Sequence, residues 1–501
     1  MPGARVTFLL MRSRLSLPAL ALALGAALLP TGAQAVPSAG SDGIGDAYFP
    51  LDGNGGIDVV SYDINDRYRF GTRKLTGHTT LVVDATDDLT SFNLDFLLPV
   101  KRVRVDGVAA AFSKPRQHEL QVTPAVPLVD GQQFQVRVSY AGHPGNYQYV
   151  GERNWLANKR EVVAMNEPHM APWWFPANDH PQDKARMDIT ITAPQEDKVL
   201  ANGRRVSRHQ HGRLATTHWR ATEPMAPYLA FFAAGDYAVD HGVSQGLPWY
   251  VGVSKALPAA ERTVAMAQMR KSPAIVRLLS KDLGPYPFSQ TGGVTVGVNV
   301  NFALENQTRP TYPYVGRSNS LLVHELSHQW FGDSVSVHEW KDIWLNEGFA
   351  SFMELRYDER KHHRSAARWL RTTYDQTPAQ LGFWKVTIDD PGPAQIFSTP
   401  VYTRGAMTLQ ALRNVVGNKL FWKILRAWIS QHQGGNASTD DFIALADDMY
   451  KGPSLQNFFH EWLDRAWKPA DTTDNGLGAS SRSASRPAAV LAPARQDSVA
   501  R

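Results

Sequence analysis

Cysteine is absent from all 501 residues. That gap excludes disulfides, a thiol nucleophile, Cys-ligated zinc and the lipid-modified cysteine of an exported lipoprotein. No run of lysine and arginine interleaved with aromatics occurs either, which removes the electrostatic footprint of a nucleic-acid binder. Long apolar runs are missing as well. The stretch "LSLPALALALGAALLP" over residues 15–30 is interrupted by Pro18 and Pro30 and falls short of the ~20 residues that cross a bilayer. Preceded by Arg12 and Arg14 and followed by "TGAQA", it has the pattern of a secretory signal over residues 1–35, cleaved after Ala35, with Met11 as an alternative start. The expected location is therefore periplasmic or secreted, with no stable membrane insertion after cleavage. The net charge of +5 argues for no polyanionic partner, since this leader carries three arginines and no acidic residue.

What the chain does have is bulk. With 43% apolar and 10% aromatic residues it can bury more than one core. Residues 46–240 read as an all-β domain. Segments such as "IDVVSYDIND", "TGHTTLVVDAT" and "QQFQVRVSYAG" alternate apolar and polar, and Val105-Asp106-Gly107 is a hairpin signal. From about residue 256 the period changes, and "LPAAERTVAMAQMRKSPAIVRLLSKDLG" repeats apolar residues every three or four positions until Gly284-Pro285. Residues 241–469 are thus expected to form a mainly helical domain, broken by the β-like "GGVTVGVNVNFAL". The Ala/Ser/Pro/Arg-biased residues 470–501 read as a disordered tail.

The chemistry concentrates in "LLVHELSHQWFGDSV". His324 and His328 stand four apart, so on a helix both imidazoles reach one ion from the same face, with Glu325 beside it. Burying two histidines and a glutamate in an apolar segment costs several kcal/mol unless something pairs them, and a divalent cation does. A catalytic zinc takes three protein ligands and leaves a position open for water. One zinc-peptidase class supplies its third ligand through H-E-x-x-H-x-x-G-x-x-H, but Phe331 and Ser334 occupy the positions that would need glycine and histidine. Glu347 in "DIWLNEGFASFMEL", nineteen residues after His328, completes a His, His, Glu set of the thermolysin type instead. Asp342 in "WKDIW" is the candidate carboxylate to orient a ligating histidine.

"HELSHQWFGDSV" followed by "WKDIWLNEGFASF" resembles the aminopeptidase N family of zinc metallopeptidases, and the match continues elsewhere. "FALENQTRPTYP" is similar to the family's exopeptidase motif, with Phe302 and Leu304 standing where the family has glycine and methionine; its glutamate falls on Glu305. "NEPHMAPWWFPANDHPQDKA" resembles the segment that supplies a second residue for the substrate N-terminus, here Glu167. "STPVYTRGAMTLQAL" resembles the segment of the catalytic tyrosine, here Tyr402. The resemblance covers about residues 46–469 and is that of a short bacterial form of the family. It implies an N-terminal all-β, saddle-like domain followed by a thermolysin-like, mainly helical catalytic domain, a multidomain β plus α/β architecture.

It also implies one zinc per chain, held by His324, His328 and Glu347, and peptide substrates with a free N-terminus. Glu325 would act as general base and then acid, and Tyr402 would stabilise the oxyanion. Glu305 and Glu167 would clamp the substrate's α-amine. Two alternatives share the same motif: an endopeptidase or epoxide hydrolase on this zinc site, and a peptide-binding protein that has lost catalysis. The first has no need of Glu305, and the second would show damage to a ligand, base or donor, which the sequence does not.

Overall fold

Alternating burial organises the first half of the chain. In the strand Ile57–Arg69, Ile57 and Val59 face inward, and after a bulge between Val59 and Ser61 the inward set becomes Tyr62, Ile64, Asp66 and Tyr68. One extra residue shifts the inward set from odd to even positions, because side chains alternate faces with a period of two. The computed structural model describes residues 37–478. The expected signal sequence and residues 479–501 of the expected tail lie outside them.

Eight strands make the largest sheet, in the spatial order Arg204–His211, Leu214–Met225, Ala185–Pro194, Ile57–Arg69, Lys74–Ala85, Gln133–Gly142, Val100–Val105, Val108–Ala109. The last hairpin turns at Asp106 and Gly107, whose φ values of 47° and 78° are those of a two-residue turn matched to strand twist. Two four-stranded sheets complete this domain. One contains Leu89–Asp95 paired with Glu119–Thr123, the other Glu161–Ala164 paired with Phe232–Gly235.

The second half opens with a hairpin, Tyr237–Ser244 and Leu247–Ser254, which continues as parallel strands Thr291–Thr295 and Thr311–Tyr312. A division at residues 240/241 would cut the first of these strands, so the sheet of the second half begins at Tyr237. The long helical pattern after residue 256 is two helices, α1 (Ala259–Met269) and α2 (Ser272–Leu283). Pro273 explains the break: it has no N–H to give and its ring crowds the carbonyl of residue 269, so it fits only in a first turn. Then follow α3 (Ser320–His328), α4 (Trp344–His362), α5 (Ala366–Gln376), α6 (Thr399–Val416), α7 (Asn418–His432) and α8 (Thr439–Met449). Among the described residues no helix is long and apolar enough to cross a membrane.

Residues 37–478 form one compact unit. Buried cations tie its halves together. The Arg309 guanidinium donates to the carbonyls of Ala201, Gly203 and Tyr250 and stacks on Trp219, 4.5 Å from the ring centroid. Lys184 Nζ donates to the carbonyls of Asp333 (2.9 Å), Ser334 (3.1 Å) and Gly435 (3.3 Å), fastening the β domain to the loop after α3. The ordered chain also runs past the expected end near Pro469: Trp462 Nε1 donates to the Asn475 carbonyl at 3.2 Å, and Leu477 is buried.

Candidate active site

Helix α3 is held in place by Leu322, Val323 and Leu326, all in the core, while His324, Glu325 and His328 project from its other faces and are also buried. Helix α4 packs beside it and brings Glu347 from its first turn. His324 Nε2 lies 3.1 Å from Glu347 Oε2, and His328 Nε2 lies 3.5 Å from the same oxygen. A tetrahedral ion with bonds of ~2.0–2.1 Å needs ligand separations of about 3.3 Å. The three residues therefore fit a zinc ion with little rearrangement.

Both histidines are oriented from behind. His324 Nδ1 donates to Glu354 Oε1 at 2.9 Å, and Glu354 also accepts from the Ser320 hydroxyl. His328 Nδ1 donates to the Phe331 carbonyl at 3.0 Å. These bonds leave each Nε2 for a metal. Asp342 does neither job: it accepts from the Thr439 backbone N–H (2.9 Å) and hydroxyl (2.7 Å) and caps the short turn that leads into α4. Glu354, absent from the sequence reading, does carry a signal. It follows Glu347 by seven residues, two helical turns along one face.

Two glycines set the position of Tyr402. A Cβ on Gly348 of α4 would lie 2.8 Å from Gly405 Cα, and one on Gly405 of α6 would lie 2.7 Å from Gly348 Cα. Backbones in such contact bring Tyr402, three residues before Gly405, over the metal-ligand set. Its ring stacks on His324 at 5.9 Å between centroids and 22° between planes, and it is 8% exposed.

The loop carboxylates arrive from two directions. Glu305, just before the strand Thr311–Tyr312, is 2% exposed and brings a ligand-capable oxygen within 4.8 Å of counterparts on Glu325 and His328. Tyr228 Oη donates to its Oε1 at 3.4 Å, and Gln329 Nε2 donates to its backbone carbonyl at 2.8 Å. Glu167 comes from the β domain, and its Oε1 is shut off from solvent with no hydrogen-bond donor beside it. Burial and the neighbouring Glu305 push the Glu167 carboxyl well above the usual range. Glu305 is raised too, chiefly by burial.

Environment sorts the two glutamates nearest the histidines. Glu347 is penalised by burial, but the attraction of His328 and the hydrogen bonds from His324 and His328 overcome it and hold its pKa at about 2. Glu325 is pushed up to about 8 by burial, with His324 and His328 offsetting only part, and its Oε1 has no partner. A glutamate held ionised thus stands beside one basic enough to hold a proton at neutral pH.

Comparison with known proteins points the same way. The Peptidase M1 N-terminal domain model matches residues 60–229, and the Peptidase family M1 domain model matches residues 292–462. A glutamate-to-alanine mutant of an M1 zinc metallopeptidase from Deinococcus radiodurans, bound to a Tyr-Ser-Ala substrate, superposes with a TM-score of 0.76 at 28% identity, covering 84% of this chain and 98% of that one. Putative aminopeptidase-2 of Caenorhabditis elegans is 24% identical over 87% of this chain and 23% of its own length. Aminopeptidase M1-A of Oryza sativa subsp. japonica is 27% identical over 65% of this chain and 39% of its own. The chain spans well under half the length of these curated relatives.

Proposed function

The chain belongs to peptidase family M1, and from that premise we propose that it is a zinc-dependent aminopeptidase that hydrolyses the first peptide bond of substrates with a free N-terminus. The observation that carries this reading is the pair Glu305 and Glu167 beside the His324, His328 and Glu347 set. Carboxylates raised by burial, and in the case of Glu167 by the charge of Glu305 as well, call for a cation, and the α-ammonium of a peptide supplies it. An endopeptidase or epoxide hydrolase would gain nothing from that clamp.

His324, His328 and Glu347 would hold the metal. When bound there, zinc supplies Lewis acidity and lowers the pKa of a water to about 7. Glu325 accepts the proton of the attacking water through a carboxylate that burial has made basic, and passes it to the leaving amine. Tyr402, over the ring of His324, donates its phenol to the carbonyl oxygen as that oxygen gains charge. Glu305 and Glu167 fix the N-terminus, so only the first peptide bond reaches Glu325. The signal-like residues 1–35 support export to the periplasm or medium as the place of action.

Glu325→Gln tests the mechanism. The variant is expected to keep its zinc and lose at least ~100-fold in kcat, the usual contribution of a positioned acid and base. Retained turnover on aminoacyl chromogenic amides would overturn the assignment.

A further inference from the structure

We propose that Asp95, His118 and Glu119 form a second, buried site for zinc, located in the β domain and separate from the peptidase centre. The strand Leu89–Asp95 runs antiparallel to Glu119–Thr123, and the register sets Asp95 directly opposite Glu119. Like charges facing each other across a strand pair are unfavourable even in solvent. Here both residues are buried, Asp95 at 2% exposure and Glu119 at 1%, where an unpaired carboxylate costs far more.

Arg116 and Lys114 offset part of the Glu119 charge from a distance, but the surrounding groups leave three of the four carboxylate oxygens without a donor. Asp95 Oδ2 accepts from Asn54 Nδ2 (3.1 Å) and from the Asp179 backbone N–H (2.9 Å), but Asp95 Oδ1 has no donor. Neither oxygen of Glu119 has one. Lys114 directs its ammonium to the carbonyls of Phe96 and Leu98, and Arg116 is paired with Asp42 at the surface. His118 supplies the remaining group. Its Nε2 lies 3.6 Å from Glu119 Oε2 and 3.3 Å from the Leu51 carbonyl, and its ring packs on Tyr149, 4.3 Å between centroids.

Ligand-capable atoms of Asp95, His118 and Glu119 all lie within 4.8 Å of one another. One shared proton bridges at most two of the three orphaned oxygens, whereas a cation engages both carboxylates and the imidazole together. The imidazole argues against calcium and magnesium, which take oxygen ligands, and for zinc. Burial on every side makes the site structural, a staple between two strands and the segment around Leu51.

The test counts metal on the full-length chain with the peptidase centre disabled. His328→Ala protein, loaded with zinc and dialysed, is expected to retain one equivalent by mass spectrometry and to melt at higher temperature with zinc than after chelation. Adding Glu119→Gln is expected to abolish both effects, while Glu119→Gln alone keeps peptidase activity. If the double variant fails to fold, cobalt(II) loaded into the His328→Ala protein still decides: its visible absorption bands are expected with Asp95 intact and lost in Asp95→Asn. No retained zinc, with a melting temperature indifferent to it, would overturn the proposal.

Discussion

At the scale of the residue, the candidate metal set is legible because one helical turn aligns His324 with His328 and the apolar residues around them demand a partner for buried polarity. Glu305, Glu167 and Tyr402 were legible only through family resemblance. The two glutamates lie in loops, where no period marks a side chain as inward, and Tyr402 is one of 16 tyrosines. The group that orients His324 was misjudged: Asp342 is nearer in sequence to the ligands, but its oxygens are spent on Thr439, and Glu354 takes the role. Glu354→Gln keeps the shape and halves the acceptor capacity. It is expected to lower zinc affinity by roughly 10–100-fold, measured by competition with a chromogenic chelator, because an orienting carboxylate also raises ligand basicity. His328 should be immune to a comparable side-chain change, since its partner is the Phe331 backbone carbonyl.

At the scale of the element, the β domain followed from alternation and the turn at Asp106-Gly107, and most of the helices from their period. Less legible was where helices touch. Nothing in the spacing announces that Gly348 and Gly405 let α4 and α6 meet backbone to backbone, although that contact is what sets Tyr402 beside the ligands. Gly405→Ala would force a methyl against the Gly348 Cα at 2.7 Å, and backbone cannot swing aside as a long side chain can. The expected result is a stability loss of about 1–3 kcal/mol. A fall in kcat at unchanged zinc content is also expected, because the ligands sit on α3 and α4 while the tyrosine moves with α6. Gly382→Ala, with open space around it, serves as the control and should match wild type in both assays.

At the scale of the whole molecule, the β domain reaches the candidate site: it contributes Glu167 to the proposed amine clamp, and through Lys184 it grips the carbonyls after α3. Burial pushes the Lys184 ammonium down to about 7 from an ordinary value of 10.5, with Asp333 offsetting part. Between those two pH values the unfolded chain still holds a proton that the folded chain has released, so this group makes stability rise with pH. The slope is at most about 1.4 kcal/mol per pH unit. Below pH 7 both states are protonated and the contribution is flat. Urea unfolding at pH 8 and 10 checks it: Lys184→Met should lose this upward component relative to wild type, and equal slopes would refute the assignment. The central claim concerns the amine that Glu305 and Glu167 are proposed to hold, and it is tested most directly by comparing kcat/KM for one short peptide with its N-terminus free and acetylated. The acetylated peptide, which presents no cation to the two glutamates, is expected to be nearly inert; equal turnover of the two forms would contradict the aminopeptidase reading.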